Sequence, residues 1–280
     1  MGPEGGEHFL ASLLGKPTLA PGYNELVGPG ARTGGAQVLQ HIRFGILNLE
    51  VGEEHVLETG GEEAVCVLLA GRCEAAVGGG PRWTLGPRPS VFAGKAWAVY
   101  LPPGCSGTFR AEGSAQLAVA RAESAGGGPA RLVTPDDVVE RTAGKDNYTR
   151  LIHNILVGPE SGAGRVLIGE TLNQPGQWSS YPPHRHEEQN PPDEVRLEEL
   201  YYFKVDPPQG FGFQRVYTDD RSLDEAYVIE NDTFVMIPRG YHPVSAAPGY
   251  RIYYLWVLAG GSLEMAPRDD PDHQWVLEAG

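Results

Sequence analysis

Short runs of apolar and aromatic residues, separated by turn residues, follow one another along the chain. RFGILNLEV from Arg43, ELYYFKV from Glu199 and YRIYYLWVLAG from Tyr250 are rich in β-branched and aromatic side chains and end at Gly, Pro, Asp or Asn. This pattern predicts many short strands. Helical periodicity is weak, and it predicts brief helices only over residues 6–15 and 134–144, the second with Thr134 as N-cap. The pattern therefore indicates an all-β protein with a few short helices.

The strand-rich chain divides into two related halves. AVYLPPGCSGT from Ala98 and FVMIPRGYHPV from Phe234 both resemble a buried strand followed by a Pro-x-Gly turn. EEAVCV from Glu62 and EELYYF from Glu198 form a second matching pair, and the two pairs are equally spaced in the two halves. Two matches at one spacing indicate a duplicated β unit. With a Gly- and Pro-rich linker over residues 122–137, we predict one barrel over residues 1–130 and another over 131–280.

The composition of the chain limits the kinds of partner that it is expected to bind. The formal net charge of −14 repels nucleic acid and anionic membrane surfaces, so neither is an expected partner. No apolar run reaches the ~18 residues of a membrane span, and the first residues lack the pattern of a signal peptide. The three cysteines form no CxxC pair, which indicates reduced structural thiols and a cytoplasmic protein.

The segment SSYPPHRHEEQ, which begins at Ser179, contains the candidate chemistry. His184 and His186 are two apart, so on a strand their imidazoles point to the same side. Glu199 on the next predicted strand and His242 after the Pro-Arg-Gly turn complete a set of three imidazoles and one carboxylate. Such a set suits Zn²⁺, Mn²⁺, Fe²⁺, Ni²⁺ or Co²⁺. The sequence therefore predicts one divalent transition-metal site in the second half.

The carboxylate ligand is open to alternatives. Glu198 replaces Glu199 if the strand slips by one residue. Glu187 and Glu188 are closer to the histidines in sequence, but they precede a Pro-rich loop and are interpreted as a solvated acidic segment. Glu199 is preferred because it heads a strand and matches Glu63 of the first half.

His-x-His, a later Glu and Pro-x-Gly-x-His together resemble the cupins, small β-barrels that hold a metal with those four side chains. WSSYPPHRH, LEELYYFKVDPPQGFGFQRVYTDDRSLDE, NDTFVMIPRGYHPVSAAPGY and RPSVFAGKAWAVYLPPG resemble the 5-deoxy-glucuronate isomerases, two-barrel cupins of inositol catabolism. The resemblance spans about Arg43 to Pro267. It implies two tandem cupin-type barrels, one metal ion per chain on His184, His186, Glu199 and His242, a small anionic sugar-acid substrate and a possible homo-oligomer.

The chain departs from the common cupin pattern in two places. Glu199 follows His186 by thirteen positions, with twelve residues between them, more than in many cupins. The first half has Ser106 where His242 stands and has no His-x-His before Glu63, so no metal is expected in the N-terminal barrel.

The implied reaction converts 5-deoxy-D-glucuronate into 5-dehydro-2-deoxy-D-gluconate, an aldose–ketose isomerisation that passes through an enediolate. A divalent ion polarises the carbonyl as a Lewis acid, while a general base moves a proton between carbons. Glu199, Tyr201 and Tyr241 are the candidate catalytic residues. A hydride shift is an alternative to the enediolate mechanism. A metal-dependent dioxygenase and a non-catalytic sugar-binding protein with two barrels are alternatives to the isomerase function.

The substrate carboxylate needs a cation in this acidic protein. Arg215 is the first choice because it lies in the most distinctive motif, and the alternatives are Lys204, Arg251 and Arg165. Arg185 is disfavoured because it points away from its flanking histidines. Trp178 is expected to touch the ligand. The segment NYTRLIHNIL brings Asn147, Tyr148, Arg150 and His153 close to the second barrel, with His153 expected to cap or pack.

Overall fold

The computed structural model describes residues 9–10 and 12–278, and strands dominate both halves. The strands of the first half are β1 (Phe9–Leu10), β2 (Leu14–Gly15), β3 (Gly22–Val27), β4 (Arg32–Thr33), β5 (Ala36–Gln37), β6 (Ile42–Leu49), β7 (Glu54–Glu58), β8 (Glu62–Val77), β9 (Arg82–Arg88), β10 (Ala98–Leu101), β11 (Ser106–Glu123) and β12 (Arg131–Val133).

The second half continues with further strands and the short helices. These are β13 (Val139–Ala143), β14 (Arg150–Leu156), β15 (Val166–Asn173), β16 (Trp178–Ser179), β17 (His184–Arg185), β18 (Leu197–Asp206), β19 (Gly212–Tyr217), β20 (Asp224–Ile229), β21 (Phe234–Ile237), β22 (Val244–Ala246), β23 (Arg251–Gly260), β24 (Arg268–Asp269), two 3₁₀ turns (Asp146–Tyr148 and Pro159–Ser161) and helix α1 (Trp275–Glu278).

Each half builds its own main sheet. The first follows the order β12-β10-β8-β11-β6-β3, with β7 on β11 and β9 on β8. The second follows β13-β14-β15-β23-β18-β21-β2, beside a four-stranded sheet β16-β22-β19-β20. Two short strands lie across the border predicted at residue 130: β12 pairs with β10 of the first half, and β2 pairs with β21 of the second. The halves thus exchange one short strand each.

The central strand β8 is buried on both faces. Its even-numbered residues from Ala64 to Leu68 pack inside the first barrel, and its odd-numbered residues from Val65 to Leu69 belong to the core shared with the second barrel. The rings of Phe44 and Tyr202 meet in this shared core, 5.6 Å apart. Burial on both faces explains why the strands are nearly continuous apolar runs rather than alternating ones.

The predicted helices do not form in the described residues. Thr134 begins a turn in which its backbone N–H and its hydroxyl donate to the Asp137 carboxylate (2.8 and 2.7 Å), and the chain then enters strand β13. Pairing of β13 with β14 outweighs the local N-cap signal. In the other predicted helix Phe9–Leu10 and Leu14–Gly15 are strands, and residues 6–8 and 11 lie outside the described residues.

The cysteines form no disulfide among the described residues. Cys66, Cys73 and Cys105 are free thiols, and the first two are buried. Within the described ranges, no helix combines the length and the apolar character needed to span a bilayer.

Two carboxylates join the barrels in the same way. Glu63 accepts hydrogen bonds from three successive backbone amides at the start of β15, at 2.6 to 2.7 Å. Glu198 accepts three from the start of β6, at 2.7 to 2.8 Å. Each barrel therefore uses one glutamate to fix the first strand of the other.

This symmetry corrects the register of the repeat. Glu63 lies opposite Ala122, and Glu198 lies opposite Ala259 on the corresponding strand. The counterpart of Glu63 is therefore Glu198, and matching Glu63 with Glu199 was wrong by one residue. Ala64 stands at the first-barrel position that Glu199 occupies in the second, since these two residues pair with the matching strands β10 and β21.

A buried ion pair also crosses between the barrels. Arg88 on β9 and Glu170 on β15 have side chains that are 1% and 0% exposed. The Arg88 guanidinium donates two bonds to the Glu170 carboxylate, at 2.8 and 3.0 Å, and a third to the carbonyl of Leu68. His153 and Tyr253 contact the same carboxylate, so His153 packs as expected.

Replacing Arg88 by Met is expected to destabilise the protein strongly. The variant leaves the Glu170 carboxylate buried without its cation, which costs about 3–5 kcal/mol in the free energy of unfolding. The matched control is Arg82→Met, because Arg82 forms its ion pair with Glu74 at the surface. Its free energy of unfolding should fall by less than about 1 kcal/mol. Urea unfolding followed by circular dichroism measures both. Equal midpoints for the two variants would contradict this account of the interface.

Candidate metal centre

A cavity of about 480 Å³ opens in the second half of the chain. Its volume lies in the range of sites for small molecules. Its wall combines apolar and aromatic side chains with two arginines, two carboxylates and two histidines. The lining includes Arg141, Tyr148, Arg150, Ile152, Asn154, Ser180, His184, His186, Glu199, Tyr201, Tyr254, Trp256, Met265, Asp269 and Leu277.

Three imidazoles cluster beside this cavity, and two of them line it. The ligating atoms of His184, His186 and His242 all lie within 4.8 Å of one another. As predicted from strand alternation, Arg185 points the other way, where it pairs with Glu194 and Asp219. Strand β17 holds this arrangement by pairing with β24 near the end of the described chain.

Glu199, not Glu198, joins the histidines. Its Oε2 lies 3.1 Å from Nε2 of His242 and 3.8 Å from Nε2 of His186. Because neighbouring residues of a strand face opposite sides, Glu198 points instead to the backbone amides of β6. Glu187 and Glu188 lie elsewhere, with their backbone N–H groups bound to the Glu194 carboxylate.

The turn before His242 orients its ring. The carbonyl of Gly240 accepts a hydrogen bond from Nδ1 at 2.9 Å, so the ring proton is on Nδ1 and the lone pair of Nε2 faces the cluster. Gly240 has a φ of +88°, and a Cβ there would lie 2.5 Å from the carbonyl oxygen of Tyr217. Only glycine fits this turn, which is what the Pro-x-Gly pattern predicts.

His184 and His186 are held in the neutral form. Burial, with a smaller contribution from His242, lowers the pKa of His186 to about 3. Burial and the neighbouring imidazoles also lower the pKa of His184 well below its usual value. A neutral imidazole is the form that binds metals.

The donor set fits a divalent ion. Glu199 Oε2 and His242 Nε2 are buried without a hydrogen-bond partner. Buried polar atoms are normally paired, so an unpaired carboxylate oxygen beside an unpaired imidazole nitrogen indicates a cation-binding site. Three nitrogen donors and one oxygen donor match the borderline metals predicted from the sequence.

Tyr201 is the predicted catalytic tyrosine that lies at the site. Its hydroxyl is 3.1 Å from Ser180 Oγ, and its ring stacks on Tyr254 and lies 5.7 Å from that of His242. Burial, and then the charge of Glu199, hold the pKa of Tyr201 well above its usual value. Its phenol therefore stays protonated and acts as a donor. Tyr241 points away, with its hydroxyl on Asp219 at 3.0 Å.

The structure does not bring the cations favoured by the sequence to the cavity. Arg215 is bound to Asp224, with its guanidinium stacked over Tyr217. Lys204 pairs with Asp232. These cations sit on outward or interfacial positions of their strands, where neighbouring carboxylates already pair with them.

The other residues from the sequence analysis also lie off the cavity wall. Arg251 pairs with Asp206, and Arg165 donates to the carbonyls of Glu123 and Gly260. Trp178 is 39% exposed and contacts Tyr181 beside the cavity rather than lining it. The acidic segment after Tyr217 forms a turn in which Asp220 Oδ1 accepts hydrogen bonds from Thr218 and Ser222.

The sequence places Tyr148 and Arg150 close to the second barrel, and both line the cavity, but it assigned no role in the site to β14. Arg150, Ile152 and Asn154 alternate along β14, and all three line the cavity. Period-two alternation in NYTRLIHNIL was the available signal. Ser180 and Asp269 also line the wall, but they are brought there by turns and a short terminal strand that carry no clear sequence pattern.

Comparison with known proteins identifies the family and agrees with the fold. Residues 31–276 match the model of the KduI/IolB family. The 5-deoxy-glucuronate isomerase of Geobacillus thermodenitrificans is 43% identical over 243 residues, which cover 86% of this chain and 88% of the relative.

Solved structures support the same conclusion. An IolB-like protein from Salmonella typhimurium superposes with a TM-score of 0.88 at 35% identity, covering 95% of this chain and 100% of that one. An oxalate decarboxylase from Lactobacillus farciminis shares the fold alone, with a TM-score of 0.65 at 11% identity over 94% of this chain and 88% of that one. The predicted all-β cupin fold is confirmed. The chain belongs to the KduI/IolB family.

Proposed function

We propose that this protein is a metal-dependent aldose–ketose isomerase that converts 5-deoxy-D-glucuronate into 5-dehydro-2-deoxy-D-gluconate in myo-inositol catabolism. The observation that carries the proposal is the cluster of His184, His186, His242 and Glu199, three of which line one cavity while His242 lies buried beside them. The isomerases to which the chain is similar supply the substrate. We also propose a cytoplasmic location, based on the free cysteines.

The reaction breaks the C2–H bond and forms a C1–H bond, while one proton moves from the C2 hydroxyl to the C1 oxygen. The difficult step is removal of the proton from C2, because a carbon acid is very weak without help. A divalent ion on the three histidines and Glu199 would supply Lewis-acid polarisation of the carbonyl and the adjacent hydroxyl.

The chain's own groups have separable roles. The protonated phenol of Tyr201 is placed to donate a hydrogen bond to a substrate oxygen in the cavity, and Ser180 orients that phenol. Glu199 lines the same cavity, and we propose that its carboxylate also takes up the carbon-bound proton. Tyr241 has no part in this scheme because its hydroxyl is turned to Asp219.

Proton NMR of the reaction in D₂O tests this proposal. We expect wild-type protein to convert 5-deoxy-D-glucuronate into the ketose, with one solvent deuteron at the new carbon-bound position. A proton that passes through a base exchanges with solvent, which explains the label. The control is the same incubation with heat-inactivated protein.

Other results identify the alternatives. Formation of ketose without deuterium would indicate a hydride shift instead of the enediolate route, and the isomerase function would stand. Oxygen consumption with cleavage of the substrate would indicate the dioxygenase. Binding of the sugar acid without any product would indicate the non-catalytic binding protein.

A further inference from the structure

We propose that Arg150 binds the substrate carboxylate and makes this site selective for sugar acids over neutral sugars. The inference rests on the proposed isomerase function, and it assigns to Arg150 the role for which the sequence favours Arg215. Three features carry it: the position of Arg150 on the cavity wall, the unused face of its guanidinium, and the charge balance of the cavity.

Arg150 shares a wall with the metal centre. It is the first residue of β14, and it lines the same cavity as His184, His186 and Glu199. Its strand is fixed on both sides by pairing with β13 and β15. A cation on a rigid strand fixes one end of a small ligand whose other end reaches the metal centre.

The guanidinium is held by backbone carbonyls alone. Nη1 of Arg150 donates to the carbonyls of Tyr148 (3.3 Å) and Tyr181 (3.1 Å). Among the residues that the structure describes, no carboxylate lies within the 4.0 Å of an ion pair, and Nε and Nη2 have no hydrogen-bond partner. These two N–H groups form the edge that grips a carboxylate with two parallel bonds.

Other arginines near the second barrel already have an anion. Arg88 binds Glu170, Arg185 binds Glu194, and Arg215 binds Asp224. Among the described residues, Arg141 and Arg150 line the cavity without a carboxylate partner. Arg141 is exposed and Arg150 is partly buried, so Arg150 is the one placed to meet the anion that the substrate carries.

The sequence keeps room for this arginine. Gly144 has a φ of +81°, and a Cβ at that position would lie 2.8 Å from Arg150 Nη1 and 2.2 Å from the carbonyl oxygen of Tyr148. Any larger residue would displace both the guanidinium and one of the carbonyls that hold it. The turn after β13 is therefore shaped around Arg150.

The cavity wall carries no excess of negative charge, although the protein as a whole does. The wall contains two carboxylates, Glu199 and Asp269, and two guanidiniums, Arg141 and Arg150. Arg141 is exposed, so Arg150 is the deeper of the two charges. A protein of net charge −14 repels an anionic substrate at long range, so affinity depends on local cations.

The test compares Arg150→Gln with Arg215→Gln, using 5-deoxy-D-glucuronate and its neutral analogue 5-deoxy-D-glucose. For Arg150→Gln we expect KM for the acid to rise about 100-fold with a much smaller change in kcat, because a binding contact present before and during the reaction is lost. The activity toward the neutral analogue and the urea midpoint should stay at wild-type values. Arg215→Gln should keep the wild-type KM for the acid.

Calorimetric binding of 5-deoxy-D-glucuronate provides a readout that needs no turnover. Wild-type protein should bind the acid, and Arg150→Gln should bind it about 100-fold more weakly. Arg150→Lys keeps the positive charge but not the two parallel N–H donors, so its affinity for the acid should fall about tenfold. This variant tests the inference if Arg150→Gln does not fold.

The possible failures are distinct. If wild-type protein binds the acid through Arg150 but makes no ketose, the proposed function fails and the carboxylate site stands. Two results with an active wild-type protein would overturn the inference about Arg150. In the first, Arg150→Gln has the wild-type KM for the acid; in the second, it loses activity toward the acid and the neutral sugar equally. A loss in Arg215→Gln instead would return the role to Arg215.

Discussion

Replacing His184 and His186 together by Ala is expected to abolish turnover, with a fall of at least about 10³-fold. The double variant leaves only His242 and Glu199 of the four donors. One imidazole and one carboxylate do not hold a divalent ion against water, so the Lewis acid is lost. Initial rates of ketose formation from 5-deoxy-D-glucuronate measure the effect.

The matched control is His55→Ala. His55 lies in the first barrel, where its ring stacks on Tyr23 at 5.7 Å, far in the fold from the predicted centre. This variant should keep turnover within about twofold of wild type, since surface substitutions away from special features change stability little. A double histidine variant as active as His55→Ala would remove the metal centre from the account.

Glu199→Gln and Glu198→Gln are expected to fail in different ways although the residues are adjacent. Glu199→Gln should lower metal affinity and turnover by about 10²-fold or more, since it removes a charged ligand. Its fold should be intact. Glu198→Gln should keep turnover per folded molecule but lower the free energy of unfolding by about 1–3 kcal/mol, because three backbone amides lose their charged acceptor.

Metal analysis beside the kinetics separates the roles of Glu199. Loss of both metal and turnover establishes the ligand. Retained metal with lost turnover leaves only the proton-accepting role. A Glu199→Gln protein that keeps metal and turnover would exclude Glu199 from both roles, and a loss of metal in Glu198→Gln would reverse the assignment.

Much of the metal centre could be predicted from local sequence. His184 and His186 share a face because strand side chains alternate, and the Pro-Arg-Gly turn delivers His242. The choice between Glu198 and Glu199 needed the sheet register, because a slip of one residue moves every side chain to the opposite face. The repeat alone gave the wrong counterpart for Glu63, since the loop that follows differs by one residue between the barrels.

The helix predicted at Thr134 failed for a related reason. Thr134, Pro135 and the acidic residues after it are a valid local start signal, yet the segment forms a turn and then an exposed strand, β13, that pairs with β14. Tertiary pairing decides such cases, and it leaves no mark within the segment itself.

The cations were the least predictable part of the site. Arg215 and Lys204 lie on strands of the correct barrel, but whether an arginine is free depends on partners that are distant in sequence. Arg150 has no carboxylate beside it in the described structure, and this is visible only once β14 is placed against the turn at Tyr181. Alternation along β14 indicates the side to which the Arg150 side chain points, but it does not indicate whether a carboxylate pairs with that side chain.

Metal content by elemental analysis, with turnover measured on the same preparations, tests the central claim most directly. The account predicts about one divalent ion per chain in wild-type protein, and neither ion nor turnover in the His184→Ala/His186→Ala variant. Wild-type protein that is free of metal and still converts 5-deoxy-D-glucuronate would contradict it, and so would a double variant that keeps the ion.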